Sequence, residues 1–454
     1  MPACNITDFG AVADGKFKNT QAIQKAIDTC REHGGGSVLI PPGEFLTGTI
    51  FLKDNVNLFL SQGAVLKGSP NLADYNANDC FPQNGVSKTE NVTGAHLILA
   101  IEVKDVSITG QGRIDGNGGA FFGPAKAGGN FAIKKPRPGQ MVYFVECENV
   151  VVEGVELVNP PYWTLFFHGC ENVRIHGLKI TNPHATPNGD GIDIDCCRNV
   201  TVSDCLIDSG DDCITLRANG ALLKKQGAPC ENVAISNCVL STPCNAFRIG
   251  VGSGAVRNCA ISNINIHNAR TGVNVIAKYS AGSRGVDVEN IIVSNVVMDV
   301  VMPFYVCTGE EFKGIIKNIS LNNIRAIVRK NSLIVGCPGN PIRELSFNNV
   351  DVTIVGGAEH MEVAGEEYPA WRRAYHKGRP AAFYCEYAED LAFRNLRIRW
   401  GNLDAPWKHA LWLKDVKDAM INEFHCDNTH LLAGGEVIKL ERVADLRLNQ
   451  VCYR

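Results

Sequence analysis

The sequence predicts an all-β chain folded as a right-handed parallel β-helix, a solenoid with a short N-terminal capping helix. Two observations carry this. A strand-like phrase recurs through most of the 454 residues, and no helical pattern long enough for a βαβ crossover lies between its copies. The phrase is a charged residue, often followed by Asn, and then alternating apolar positions. It reads Lys104-Asp105-Val106-Ser107-Ile108, Glu148-Asn149-Val150-Val151-Val152, Glu171-Asn172-Val173-Arg174-Ile175, Arg198-Asn199-Val200-Thr201-Val202 and Glu231-Asn232-Val233-Ala234-Ile235. It continues at Arg257-Asn258, Glu289-Asn290, Lys317-Asn318, Glu389-Asp390 and, more weakly, Glu441-Arg442-Val443.

From Glu148 to Lys317 the copies recur every 23 to 33 residues, one short multi-stranded coil plus a loop of variable length. Alternation of period two within each copy means strands with one buried face. Coils stacked about 4.8 Å apart would align the recurrent Asn residues as an amide ladder. Right-handed winding follows the rule for parallel crossovers. A leucine-rich horseshoe is the competing solenoid, and its spaced leucines are absent.

The end of a strand stack needs a cover. Asn19 to Cys30 has helical spacing at Ile23, Ala26, Ile27 and Cys30, stops near Gly34-Gly35-Gly36, and reads as that cap. A single domain over 1–454 is expected: cap and first coils at 1–60, central coils with the active site at 100–350, a long loop at 356–380, and C-terminal coils at 381–454. The loop reading rests on polar and aromatic residues such as Trp371, Arg372 and His376 that break the repeat.

A formal net charge of −3 supplies no global field for nucleic acid or an anionic membrane, so neither is expected as a partner. No run of about 18 apolar residues suggests a membrane span. The opening Met1-Pro2-Ala3-Cys4-Asn5 lacks the pattern of a secretory signal. The 18 Cys sit mostly in apolar strand-like runs, as buried free thiols of a reducing compartment would. Together these lead us to expect a cytoplasmic protein. Zinc-type Cys-x-x-Cys spacing is missing, and no metal or other cofactor is expected.

The chemistry concentrates in two acidic segments, Asn188-Gly189-Asp190-Gly191 and Gly210-Asp211-Asp212, one coil's length apart. On neighbouring rungs they would bring three carboxylates together. Like charges so close resist simultaneous ionisation, which leaves a protonated acid beside ionised bases. Glycoside hydrolysis uses such a pair: one carboxyl protonates the leaving oxygen while another activates water or attacks the sugar. Turn-capping Asp is the bland reading of one such motif, and two motifs a rung apart weigh against it. Clustered Asp also suits calcium. Asp193 and Asp195 share the parity of the following strand and read as partly structural.

These residues resemble glycoside hydrolase family 28, which includes polygalacturonases and rhamnogalacturonases. Thr7 to Gly15, Gly34 to Val38 and Pro41-Pro42-Gly43 look like that family's N-terminal region, and Asn159 to Thr164 is similar to its phrase before the active site. The family's Asn-Thr-Asp-Gly matches Asn188 to Gly191 with Gly189 in place of Thr, and its Gly-Asp-Asp matches Gly210 to Asp212 intact. The resemblance implies Asp211 as general acid, with Asp190 and Asp212 holding and activating water in an inverting displacement. Two departures accompany it. Asn245 and Arg248 stand where polygalacturonases carry the His and Ser of Gly-His-Gly and its sequel, and Asn274 and Ile276 stand for the two cations of Arg-Ile-Lys.

Basic residues follow the acidic motifs at Arg217, Lys224, Lys225, Arg248, Arg270, Lys278 and Arg284. Arg248 is the best placed to bind a sugar carboxylate through paired hydrogen bonds, with support of the Asp cluster as its alternative role. Lys224 and Lys225 read as a solvated loop. Tyr162, Trp163, Phe247, Tyr279, Phe304 and Tyr305 could form sugar-stacking walls, although solenoid aromatics are more often core. The catalytic candidates are thus Asp190, Asp211 and Asp212. The substrate-binding candidates are Asn188, Asn245, Arg248, Asn274, Lys278, Arg270 and His184. The expected activity is hydrolysis of acidic, pectin-derived oligosaccharides. Alternatives are a rhamnogalacturonan-type or non-pectic hydrolase, a β-helix polysaccharide lyase and a non-catalytic carbohydrate-binding solenoid. Oligomeric state is left open.

Overall fold

The computed structural model describes residues 4–125, 129–278, 284–309, 313–356, 379–401, 407–427 and 431–453. They fall into two compact units, Met1–Thr215 with Gly220–Ala234, and Leu216–Asn219 with Ile235–Arg454. Each is built of stacked parallel strands, so the fold is the parallel β-helix that the repeat predicts.

In the first unit each coil contributes three short strands. One coil runs Val142–Val145, Glu148–Glu153 and Glu156–Val158, and the next Leu165–His168, Glu171–His176 and Lys179–Thr181. The one after runs Ile192–Asp195, Arg198–Ser203 and Leu206–Asp208. Register holds without slip: Val142 faces Leu165 and Leu165 faces Ile192, while Val150 faces Val173 and Val173 faces Val200. Val150, Val152, Val173, Ile175, Val200 and Val202 point inward and are buried. A slip of one residue would turn that whole set outward, so burial itself fixes the register. Inside, Phe144 and Phe167 stack with centroids 5.1 Å apart and planes at 9°.

Sharp corners interrupt the strands, and Asn makes them. Asn149, Asn172 and Asn199 each sit at φ 58° and Asn232 at 57°, the left-handed region that Asn tolerates better than other side chains. A primary amide both donates and accepts, so the corners link from coil to coil. Asn172 donates to Asn149 at 3.0 Å, and Asn199 to Asn172 and Asn232 to Asn199 at 3.1 Å. This is the predicted ladder.

The helix is also as predicted, spanning Thr20–Glu32 with Ala22, Ile23, Ala26, Ile27 and Cys30 buried against the first strands. It stops at three glycines with φ of 93°, 106° and 137°. A Cβ on Gly35 would lie 2.4 Å from the Asn55 carbonyl oxygen, so no larger residue fits there.

The second unit has longer, bent strands, among them Ala255–Ile276, Asp287–Cys307, Ile316–Val328, Ile342–Ile354, Ala381–Trp400 and Trp407–Cys426. A second amide ladder, not anticipated from the sequence, runs through Asn237, Asn263, Asn295, Asn323, Asn349 and Asn395 at 2.8–3.3 Å. Phe304, Phe347, Phe383 and Phe393 fill the interior, with Phe347 and Phe393 stacked at 5.1 Å. Residues 357–378, most of the segment read as a long loop, lie outside the described residues. No described helix is long and apolar enough to cross a membrane.

Cys147, Cys170 and Cys197 precede equivalent strands on successive coils and carry buried free thiols. Burial pushes all three thiols up, which makes them inert small hydrophobes. We therefore expect a thiol reagent to label the exposed Cys80 and Cys452 of the native protein first. The buried thiols should react only with unfolding, followed as colour release across a urea titration. Rapid native-state labelling of Cys170 would contradict this packing.

Candidate active site

The first acidic segment leaves its turn at Asn188, which has a left-handed φ of 53°. Its backbone is pinned to the coils on both sides. Thr164 N–H donates to the Asp190 carbonyl at 3.0 Å, and Gly191 N–H donates to the Asp212 carbonyl at 2.9 Å. Gly210 N–H donates to the Gly189 carbonyl at 3.0 Å. The two acidic segments therefore lie directly against each other, as the one-coil spacing predicts.

The glycines are a condition of that contact. A Cβ on Gly191 would lie 2.5 Å from the Cys213 carbonyl oxygen, and one on Gly210 would lie 2.8 Å from the carbonyls of Pro183 and Thr186. Asn182 ties the turn further, its amide donating to the Thr164 hydroxyl at 2.8 Å and to the Gly189 carbonyl at 3.0 Å. Ser209 Oγ donates to the Asp211 carbonyl at 2.7 Å. Asp190 is 5% exposed and Asp212 8%, whereas Asp211 is half-buried. Carboxylate oxygens of Asp211 and Asp212 lie within 4.8 Å of each other. Asp193 and Asp195 are buried, with Asp195 accepting from the Cys196 thiol at 3.4 Å.

Arg137 was not singled out from the sequence, and it organises this segment. It is fully buried. Its Nη1 donates to the carbonyls of Pro161 at 2.9 Å and Pro187 at 2.6 Å, and its Nη2 to Asn188 Oδ1 at 2.8 Å. The guanidinium lies 4.9 Å over the Tyr162 ring, whose hydroxyl donates to Glu90 at 2.7 Å. Burial pulls Arg137 down to about 10, opposed by the negative charge of Glu90 and Asp190, so it stays a cation at neutral pH. A single Arg between two prolines, Pro136 and Pro138, gives no periodic signal, and only the fold reveals its role.

The other candidates divide. Asn188 has its side-chain oxygen committed to Arg137. His184 is exposed, with Nε2 2.7 Å from Asp208 Oδ1. Lys224 is not merely solvated: it forms an ion pair with Glu102 that holds this carboxyl below its usual range. In the second unit Asn245, Arg248, Asn274 and Lys278 are buried, and Arg270 is exposed. Arg248 faces Asn274 across one rung, and Asn274 donates to Asn245 Oδ1 at 2.9 Å. Ile276 sits in a buried cluster with Tyr305, Leu333 and Tyr384, an apolar patch where a cation stands in the family pattern.

Of the proposed aromatic walls, Phe247 and Phe304 are fully buried in the interior, whereas Tyr305, also buried, lies on the opposite face of its strand, in register with Asn274 and Arg248. Tyr279 lies outside the described residues. Trp163 is half-exposed and stacks on Tyr162 at 4.7 Å, with its peptide next to Asp190.

Residues 30–371 match the family described as Glycosyl hydrolases family 28. The chain belongs to glycoside hydrolase family 28. It is 28% identical over 384 residues to a probable polygalacturonase of Vitis vinifera, covering 79% of this chain and 76% of that one. It is 28% identical over 326 residues to an exo-poly-α-D-galacturonosidase of Dickeya chrysanthemi, covering 62% of this chain and 51% of that longer protein. The crystal structure of a hyperthermoactive exopolygalacturonase from Thermotoga maritima has the same fold, with a TM-score of 0.71 at 21% identity over 88% of this chain and 92% of that one.

Removing the Arg137 fork tests its role in this family 28 protein. Arg137→Met would leave the buried carbonyls of Pro161 and Pro187, and the partly buried Asn188 side chain and Glu90 carbonyl, without their donor, at about 1–3 kcal/mol for each buried group left unsatisfied. We expect urea unfolding to show a loss of about 3 kcal/mol or more. Arg137→Lys, which keeps charge but not the fork, should recover only part of it. A wild-type unfolding midpoint for Arg137→Met would remove Arg137 from this role.

Proposed function

We propose that this glycoside hydrolase cleaves O-glycosidic bonds of acidic, pectin-derived oligosaccharides by an inverting acid and base mechanism. Asp211 is the general acid, and Asp190 and Asp212 hold and activate the water. The observation that carries the assignment is the direct backbone contact between the Asp190 and Asp211-Asp212 segments on adjacent coils. Half-buried Asp211 is the more accessible of the three, as a proton donor to a leaving oxygen must be. The pectic substrate is supported by the polygalacturonase relatives, and an exo preference by the exo-acting enzymes among them.

Trp163, half-exposed beside Asp190, offers a ring face for the apolar side of a sugar. A cytoplasmic site of action, on oligosaccharides already imported, suits the buried thiols.

Asp211→Asn should lower the release of reducing ends from oligogalacturonides about 10²- to 10⁴-fold while leaving the unfolding midpoint near wild type. Asp190→Asn and Asp212→Asn should be comparably slow. Proton NMR of the first turnovers should show the anomer opposite to that of the cleaved bond, and EDTA should leave the rate unchanged. A product absorbing as an unsaturated uronide would instead identify a lyase, and undiminished turnover by Asp211→Asn would remove the assigned acid.

A further inference from the structure

In the second unit, strand Ala255–Ile276 follows strand Asp287–Cys307 residue for residue up to the pair His267 and Asp299, and then slips. Ala269 faces Val300, and Asn268, at φ 54°, is the extra residue. Such a bulge bends its strand and re-aims the side chains that follow. A cavity of about 430 Å³ lies here, lined by Asn268, Arg270, Asp299 and Arg329 together with the apolar surfaces of Pro243 and Val301. It is an open depression of the surface, with Asn268, Arg270, Asp299 and Arg329 exposed around it.

Arg329 is held in place without being used up. Its Nη1 donates to the Asp299 carboxylate and to the Val300 carbonyl at 3.2 Å. Among the described residues its Nε and Nη2 have no partner, so an edge of a pre-oriented guanidinium is left with donors to spare. Arg270 also lines the cavity, its Nη2 2.8 Å from Cys244 Sγ. The guanidinium groups of Arg270 and Arg329 thus line the same cavity as the Asp299 carboxylate.

We propose that this cavity is a subsite for the carboxylate of a uronic acid unit, with Arg329 as the bidentate partner and Arg270 as the second cation. A planar carboxylate matches the free edge of Arg329 through two parallel hydrogen bonds. Pro243 and Val301 offer apolar surface to the C–H face of the ring. The proposal rests on the acidic-oligosaccharide reading given above and adds to it a place for a substrate charge, at residues outside the positions of the Arg-Ile-Lys pattern.

Binding of trigalacturonate and of its methyl ester, measured by calorimetry on full-length Asp211→Asn protein, tests it apart from turnover. Arg329→Gln in that background should weaken trigalacturonate about tenfold or more and leave the neutral ester within a factor of two. Arg329→Lys should fall between, and Arg270→Gln should weaken the acid selectively. A melting temperature matching the parent's confirms that each variant is folded. Equal weakening of acid and ester, or no weakening of either, would overturn the subsite. If wild-type protein released no reducing ends from trigalacturonate yet bound it through Arg329, the hydrolase reading would fail and the subsite would stand.

Discussion

Everything local in this protein depends on one constraint: each coil must return the chain to hydrogen-bond with the coil before it, residue for residue. The register of Val150, Val173 and Val200 is the direct expression of that constraint. Loops between coils vary in length, so the return cannot come from counting residues. It comes from burial of the alternate apolar positions and from corners that turn at the same place each time. Asn does the turning because it accepts a left-handed backbone, and it links the corners because its amide can donate upward and accept from below.

The acidic site uses the same constraint. Two short segments far weaker as signals than a strand are brought into contact because each precedes an equivalent strand on its own coil. Contact at this distance leaves no room for side chains on the backbone between the carboxylates, hence Gly191 and Gly210. It also leaves carbonyl groups of Pro161 and Pro187 buried in a turn that strand pairing does not satisfy. Arg137 satisfies them with a single guanidinium, and by so doing fixes Asn188 two residues before Asp190. A neutral donor could not supply as many hydrogen bonds from one plane.

What could be read from the sequence follows from what repeats. Asn149, Asn172, Asn199 and Asn232 recur at the start of each phrase, so both the coil and its ladder were legible. The ladder through Asn263, Asn295 and Asn323 lies mid-phrase, away from the charged residue and Asn that mark the start of each copy. The contact of the acidic motifs followed from their spacing, and the capping helix from its apolar period. Arg137 and the bulge at Asn268 leave no periodic trace: the first is a single residue from a non-repetitive segment, and the second is one inserted residue inside an otherwise regular strand. The fate of Phe247, Phe304 and Tyr305 was undecided for a different reason. Alternation assigns a residue to a face, and in a closed coil a large aromatic on the inner face and one on the outer face look alike until the register is known.

Ile276 shows how packing across rungs constrains what a single position can become. Its neighbours Tyr305, Leu333 and Tyr384 come from the next rungs of the same unit, so this is a packed apolar cluster rather than a lone substitution. A lysine returned to position 276 would be a buried cation among aromatic and aliphatic groups, at a cost that no single neighbour could offset. The apolar side chain at position 276 is therefore matched by its neighbours on several rungs at once. Arg329 is different in kind: it is partly exposed, is oriented by Asp299 on a neighbouring strand, and needs no cooperation from the interior. Exposed positions on the rungs can gain or lose charge singly, whereas buried ones change only in company. In a β-helix this lets specificity be rewritten at the surface while the carboxylates and their glycine-lined contacts stay as they are.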